Sequence, residues 1–145
     1  MAPLVVLTVI AALARLIGWL AGLEWLDSWP HAVAIGLAAM FVLTASAHFL
    51  SPRREALVAM VPPALPKPAA LVTITGVLEL AGAVGLLIPA TSAVAASALI
   101  AMMVLMFPAN IRAAKTDLGI KTMPLPLRAV VQLIFIGALA LVLVG

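Results

Sequence analysis

Long apolar runs alternate along the chain with short stretches that hold nearly all of its charges. The runs cover residues 3–23, 31–50, 69–88, 91–107 and 127–144. At a helical rise of ~1.5 Å per residue the runs reach about 25–32 Å, the scale of a hydrocarbon core ~30 Å thick. In lipid every backbone amide must be satisfied within its own segment, so the pattern predicts five transmembrane helices. The strict alternation that barrel strands require does not occur.

The connections carry their own signals. Residues 24–30 (EWLDSWP) are polar and hold two tryptophans, as befits a turn in the headgroup region. After the second run, Ser51 and Pro52 open a short amphipathic segment, SPRREALVAM, predicted as an interfacial helix over 52–60. The MVPPALPKP that follows has too many prolines for regular helix and reads as a rigid extended link. Pro108 is expected to end or kink the fourth helix, leaving residues 111–126 as the second long polar connection.

Composition makes the membrane assignment firm. With 66% hydrophobic and 9% charged residues and a mean hydropathy of +1.32, the 145-residue chain has more apolar surface than a soluble domain of its length could bury. It reads as one transmembrane domain, residues 1–145. There is no cysteine, which excludes thiol–disulfide exchange, thiolate-held iron–sulfur clusters and covalently attached haem. The net charge of +3 reflects membrane orientation and not a nucleic-acid partner. If the helices alternate, seven of the eight basic residues (Arg53, Arg54, Lys67, Arg112, Lys115, Lys121 and Arg128) share one side, while Glu24 and Asp27 lie on the other. The positive-inside rule then predicts a multi-pass protein of the inner (plasma) membrane, with its N-terminus and long loops cytoplasmic and its C-terminus outside. Arg15 in the middle of the first run, with no basic residue before it, argues against a cleavable signal.

The candidate chemistry begins with Glu79, an acid near the middle of the third run. A charge there must be paired, wetted or neutralised. On a helical wheel Glu79 shares its face with Thr75, Gly76, Gly82 and Ala83, whereas Ile74, Val77, Val84 and Ile88 fall opposite, so the acid is expected to point into the bundle. Depth selects a partner. Arg15 and Glu79 lie at nearly equal distances from the outer ends of their helices, whereas His48 is displaced by roughly 10 Å. A buried Arg15–Glu79 ion pair with Thr75 as a third member is the expectation, serving either helix register or a ligand or proton site.

A second group, Thr44, His48, Asn110, Arg112, Arg128 and Gln132, falls near the basic end and could form a polar vestibule for the head of an amphipathic ligand. Met102, Met103 and Met106 either fill the core or make an adaptable wall suited to a lipid-like or quinone-like molecule. No helix offers a convincing copper site of His and Met, and no phosphate loop, nucleotide fingerprint or nucleophile–base triad is present.

The ordered segments AHFLSPRREALVAMVPPALPKP, TGVLELAGAVGLLIP, MFPANIRAA and LRAVVQ resemble the successive signatures of DoxX-like membrane proteins. The resemblance runs from about Ala32 to the C-terminus. It implies a transmembrane four-helix bundle of DoxX type, with the first span an addition, and it marks His48, Glu79, Asn110, Arg128 and Gln132. Some members are similar to the small membrane subunit of a thiosulfate:quinone oxidoreductase, and others are associated with membrane redox complexes.

The expected function is therefore binding of a quinone-like or other apolar molecule within the bundle, as a subunit of a membrane oxidoreductase. Glu79 and His48 are the candidate catalytic groups, with Arg15, Thr75, Asn110, Arg128, Gln132 and Met106 as ligand contacts. The chain is expected to hold no intrinsic cofactor or metal, with quinone as the candidate bound molecule. Two alternatives stand beside this: an acid–base membrane enzyme (isomerase, cyclase or epoxide-opening) using Glu79 or His48, and a non-enzymatic assembly partner of another membrane protein or of a second copy.

Overall fold

The computed structural model describes residues 2–115 and 124–145. Among the described residues six α-helices follow one another: α1 (Ala2–Ala21), α2 (Trp29–Ala47), α3 (Arg53–Met60), α4 (Pro68–Leu87), α5 (Ser92–Lys115) and α6 (Leu125–Val144). No strand occurs among the described residues. All except α3 are long and apolar enough to cross a membrane. Prolines open α2, α4 and α6, where the missing N–H would have had no intrahelical acceptor.

α2, α4, α5 and α6 close a ring, each packing on the next and α6 returning to α2. The start of α2 meets the ends of α4 and α6 around Pro30, Ala34, Leu86 and Val142, so α2 runs antiparallel to both. Leu37, Met40 and Phe41 of α2, Leu86 of α4, Leu99 of α5 and Leu139 of α6 fill the middle. On α4 the buried positions are Val72, Gly76, Glu79, Ala83 and Leu86, a stripe at alternating three- and four-residue spacing that turns one face inward. Ile74, Val77 and Val84 are exposed, as the wheel predicts.

α2 is the most enclosed helix, because its alanines and glycine let neighbours approach from several sides. α1 lies outside the ring and docks on α2 with Leu7, Ala11 and Ala14 buried, while Gly18 lets the turn at Leu26 and Asp27 fold back against it. The fit of α1 on α2 depends on Gly36, where a Cβ would stand 2.6 Å from the Leu7 carbonyl oxygen.

Two elements differ from expectation. Pro108 does not end the fourth long helix: α5 continues through it to Lys115, which places Asn110 and Arg112 on the helix and not in a loop. A proline forfeits one intrahelical bond, and packing of the last turns, with Ala113 fully buried, outweighs that loss. The short helix α3 is not merely interfacial. It packs across α2, α4 and α5 with Ala56 and Met60 buried, covering one end of the ring. Of the expected second polar connection, Asp117, Gly119 and Lys121 lie outside the described residues.

Candidate functional site

The covered end of the ring holds the buried ionisable side chains. His48 follows the last turn of α2 and Glu79 sits in the middle of α4; they are 4% and 6% exposed, the buried charged or polar residues of the core. His48 Nε2 lies 3.4 Å from Glu79 Oε1. The second carboxylate oxygen accepts a hydrogen bond from the Thr44 hydroxyl at 2.8 Å. On the other side of the imidazole, Nδ1 is 2.9 Å from the Val72 carbonyl and 3.1 Å from the Thr75 hydroxyl. Thr75 in turn donates back to the carbonyls of Leu71 and Val72. The close approach needs Gly76, whose absent Cβ would fall 2.6 Å from His48 Cβ.

The partners of the ring constrain where its protons sit. A carbonyl can only accept, so Nδ1 carries a proton and donates it to Val72. A second proton between Nε2 and Oε1 would give either an imidazolium facing a carboxylate or a neutral ring facing a carboxylic acid. Both forms have no net charge, which is what a water-poor interior tolerates.

The expected Arg15–Glu79 pair is not formed. Arg15 pairs with Asp27 and lies 5.3 Å from the centroid of the Trp29 ring, at the opposite end of the bundle. Matching depth is insufficient without matching azimuth: α1 packs on α2 outside the ring, so it never adjoins α4. Arg15 is thus neither partner to Glu79 nor a ligand contact in this site, and Thr75 serves His48 instead. The expected depth gap between His48 and Glu79 also closes for a physical reason. Side chains lean toward the N-terminus of their own helix. On antiparallel α2 and α4 the imidazole and the carboxylate therefore lean toward each other.

A cavity of about 620 Å³ opens beside the pair. His48, Glu79, Thr44, Asn110, Arg53 and Arg128 form its polar side, and Leu43, Leu57, Met60 and Met106 its apolar side. An adjoining cavity of about 210 Å³ shares His48, Leu57, Met60, Met106 and Ala109, and continues between apolar residues such as Leu65, Leu71 and Leu105. Asn110 is held by Arg128, which donates to its Oδ1 at 3.0 Å, and it reaches Gln132 at 3.4 Å. Gln132 donates to the Met103 carbonyl at 3.2 Å, so it braces α5 against α6 behind the cavity and does not line it.

The structure thus brings together His48, Glu79, Thr75, Asn110, Arg128 and Met106, with Gln132 in support. Sequence reasoning missed Arg53 and the part α3 plays. Arg54 was also missed: it donates to the carbonyls of His48 and Ala69 and to the Thr73 hydroxyl, tying the end of α2 to the start of α4. The spacing of Ala56 and Met60, one helical turn apart and small against large, was the available signal that α3 has a buried face. Arg112 donates to the Ala59 carbonyl and holds α3 from the α5 side. Among the described residues, no three His, Cys, Asp or Glu side chains gather in a way that could hold a metal ion.

Residues 37–143 match the model of a family described as a domain of unknown function, DUF8561, and the chain belongs to that family. The match takes in most of α2 through α6 and leaves out α1, the helix outside the ring. No curated protein and no solved structure matches the chain.

Proposed function

We propose that this member of the DUF8561 family binds a quinone-like or other lipid-soluble molecule in the cavity beside His48 and Glu79, as the membrane-embedded subunit of an oxidoreductase of the DoxX-like kind. The carrying observation is the cavity itself, about 620 Å³ with an apolar side and a polar side that ends on a buried proton-holding pair. That volume lies within the range of ligand sites, and a fully packed interior would have left no room for this reading.

Reduction of a quinone adds protons to its oxygens, and two proton-carrying groups, His48 and Glu79, in the lining of the cavity support that reading. With no thiolate in the chain, the electrons come from a partner protein. The asymmetry of basic residues supports an orientation with the His48 end facing the cytoplasm and the C-terminus outside. The same pair favours a second reading, acid–base catalysis on a lipid-soluble substrate, because a neutral proton-sharing dyad needs no redox centre.

Titrating the purified protein in detergent with a short-chain quinone tests the binding. One saturable site is expected, weakened by about tenfold or more when Ala109, which borders both cavities, is replaced by Phe. Absence of saturable binding, or an unchanged affinity in a folded Ala109→Phe protein, would sink the proposal.

A further inference from the structure

The inward stripe of α5 is interrupted. Ala95, Leu99, Met102 and Ala113 are buried at helical spacing, yet Met106 and Ala109, which continue the same stripe between Met102 and Ala113, are only half-buried. Both border the two cavities. The facing stretch of α4 behaves alike: Leu71 and Thr75 are half-buried beside the buried Val72 and Gly76, and both line the smaller cavity. Farther along, the two helices close on each other through Ala83, Leu86, Ala95 and Leu99. The smaller cavity, about 210 Å³, is therefore a local gap in the α4–α5 seam, with Leu57 and Met60 of α3 across its end.

The gap suits hydrocarbon. Among the described residues that line it, His48 and Thr75 are the side chains able to hydrogen-bond, and both are engaged in the wall itself: Nδ1 with the Val72 carbonyl, the hydroxyl with the carbonyls of Leu71 and Val72. The rest of the wall is apolar, and Met60 and Met106 can adapt to an irregular chain. Leu105, 78% exposed, stands at its edge. It lies ten residues before Lys115, ~15 Å along the axis from the basic end of α5, a depth within the hydrocarbon and not at the headgroups. One side of the gap thus meets lipid, and the other, past Met106 and Ala109, meets the cavity that holds His48 and Glu79.

Resting on the binding site proposed above, we infer that the gap between α4 and α5 is the tail subsite of that site and its lateral entrance from the bilayer. The ligand carries a hydrocarbon tail, alkyl or isoprenoid, that lies between Leu71 and Leu105 while its oxygen-bearing head rests beside His48 and Glu79. The tail completes the α5 stripe, covering Met106 and Ala109 as protein covers Met102 and Ala113. A molecule with the same head and no tail leaves that apolar surface uncovered and is held less tightly.

The full-length protein in maltoside micelles is titrated calorimetrically with a fully substituted benzoquinone bearing a decyl tail, and with the same ring bearing a methyl group in place of the tail. Each compound is compared with itself across proteins, so its partition into the micelle cancels. Leu71→Trp, in the lining of the gap and outside that of the polar cavity, should weaken the decyl compound about tenfold and the tail-less ring by less than about twofold. Leu105→Trp, at the exposed edge, should act in the same direction and serves in its place if Leu71→Trp does not fold. Leu133→Trp, exposed on α6 and in neither lining, should change neither compound. Equal weakening of both compounds by a folded gap variant, or an unweakened decyl compound, would overturn the tail subsite and leave the cavity reading standing. An equal effect of Leu133→Trp would reveal unspecific uptake and overturn it as well. Absence of saturable binding by both compounds would remove the two together.

Discussion

His48 Nε2 and Glu79 Oε1 face each other at 3.4 Å across the α2–α4 contact, each nearly sealed from the surface. The Val72 carbonyl fixes the ring on its other side, so loss of either partner strands a polar group in an apolar interior. His48→Ala should lower stability by about 3 kcal/mol or more, the usual cost of breaking a buried pair. Glu79→Gln keeps a neutral hydrogen-bonding group and should cost about 1–2 kcal/mol. Unfolding in mixed micelles with increasing denaturing detergent measures both. A His48→Ala protein as stable as the wild type would show that the pair is not structurally coupled, and a folded, non-binding Glu79→Gln protein would place the acid in the ligand site.

Gly76 is where the two helices come closest at the site. An added Cβ would meet His48 Cβ at 2.6 Å and the Phe49 ring at 2.9 Å, with backbone behind the first contact. Gly76→Ala should therefore cost about 1–3 kcal/mol and weaken ligand binding together with it. Gly137 on α6 has nothing within 4 Å of its would-be Cβ, so Gly137→Ala should be neutral or stabilise by up to about 1 kcal/mol. The contrast within one unfolding experiment is the check, and equal effects at the two sites would refute it.

Arg15 and Asp27 belong to the far end of the bundle. Their pair is partly open to the surroundings, with Arg15 and Asp27 side chains 30% and 39% exposed, so its removal should be mild. Arg15→Leu is expected to change stability by less than about 1 kcal/mol and to leave binding beside His48 unaltered. The Arg15 Nε is enclosed without a hydrogen-bond partner among the described residues, which further lowers what the native side chain contributes. A binding defect in Arg15→Leu would revive a link between Arg15 and Glu79.

Asn110 joins α5 to α6 through Arg128 and Gln132. Asn110→Leu removes the acceptor for a charged donor and should cost about 1.5–3 kcal/mol. Asn110→Asp retains that acceptor and should lose less stability. Measuring the unfolding of both variants in one series checks the order, and an Asn110→Asp protein less stable than Asn110→Leu would contradict the assignment.

The inward stripe on α4 was legible in the linear pattern, because a small polar face opposite Ile74, Val77 and Val84 follows from the helical period alone. The vestibule around His48, Asn110 and Arg128 was legible too, since its members sit at the basic ends of their segments. The partner of Glu79 was not. Depth along an axis can be counted in residues, whereas the order of helices around a ring cannot, and Arg15 lost to His48 on that second coordinate. The helix α3 was legible but its buried face was not, for a related reason: eight residues carry too few periods to show which side they bury.

By itself the sequence determined that the chain is helical and apolar enough to span a membrane several times, where its charges gather, and which face of α4 looks inward. Those properties depend on residue type and local period, which backbone hydrogen bonding and lipid impose segment by segment. Only the tertiary structure decided that α1 stands outside the ring, that α5 passes through Pro108, and that α3 covers a cavity. It also decided that the buried acid faces a histidine, because antiparallel helices lean their side chains toward one another across a contact that glycine allows.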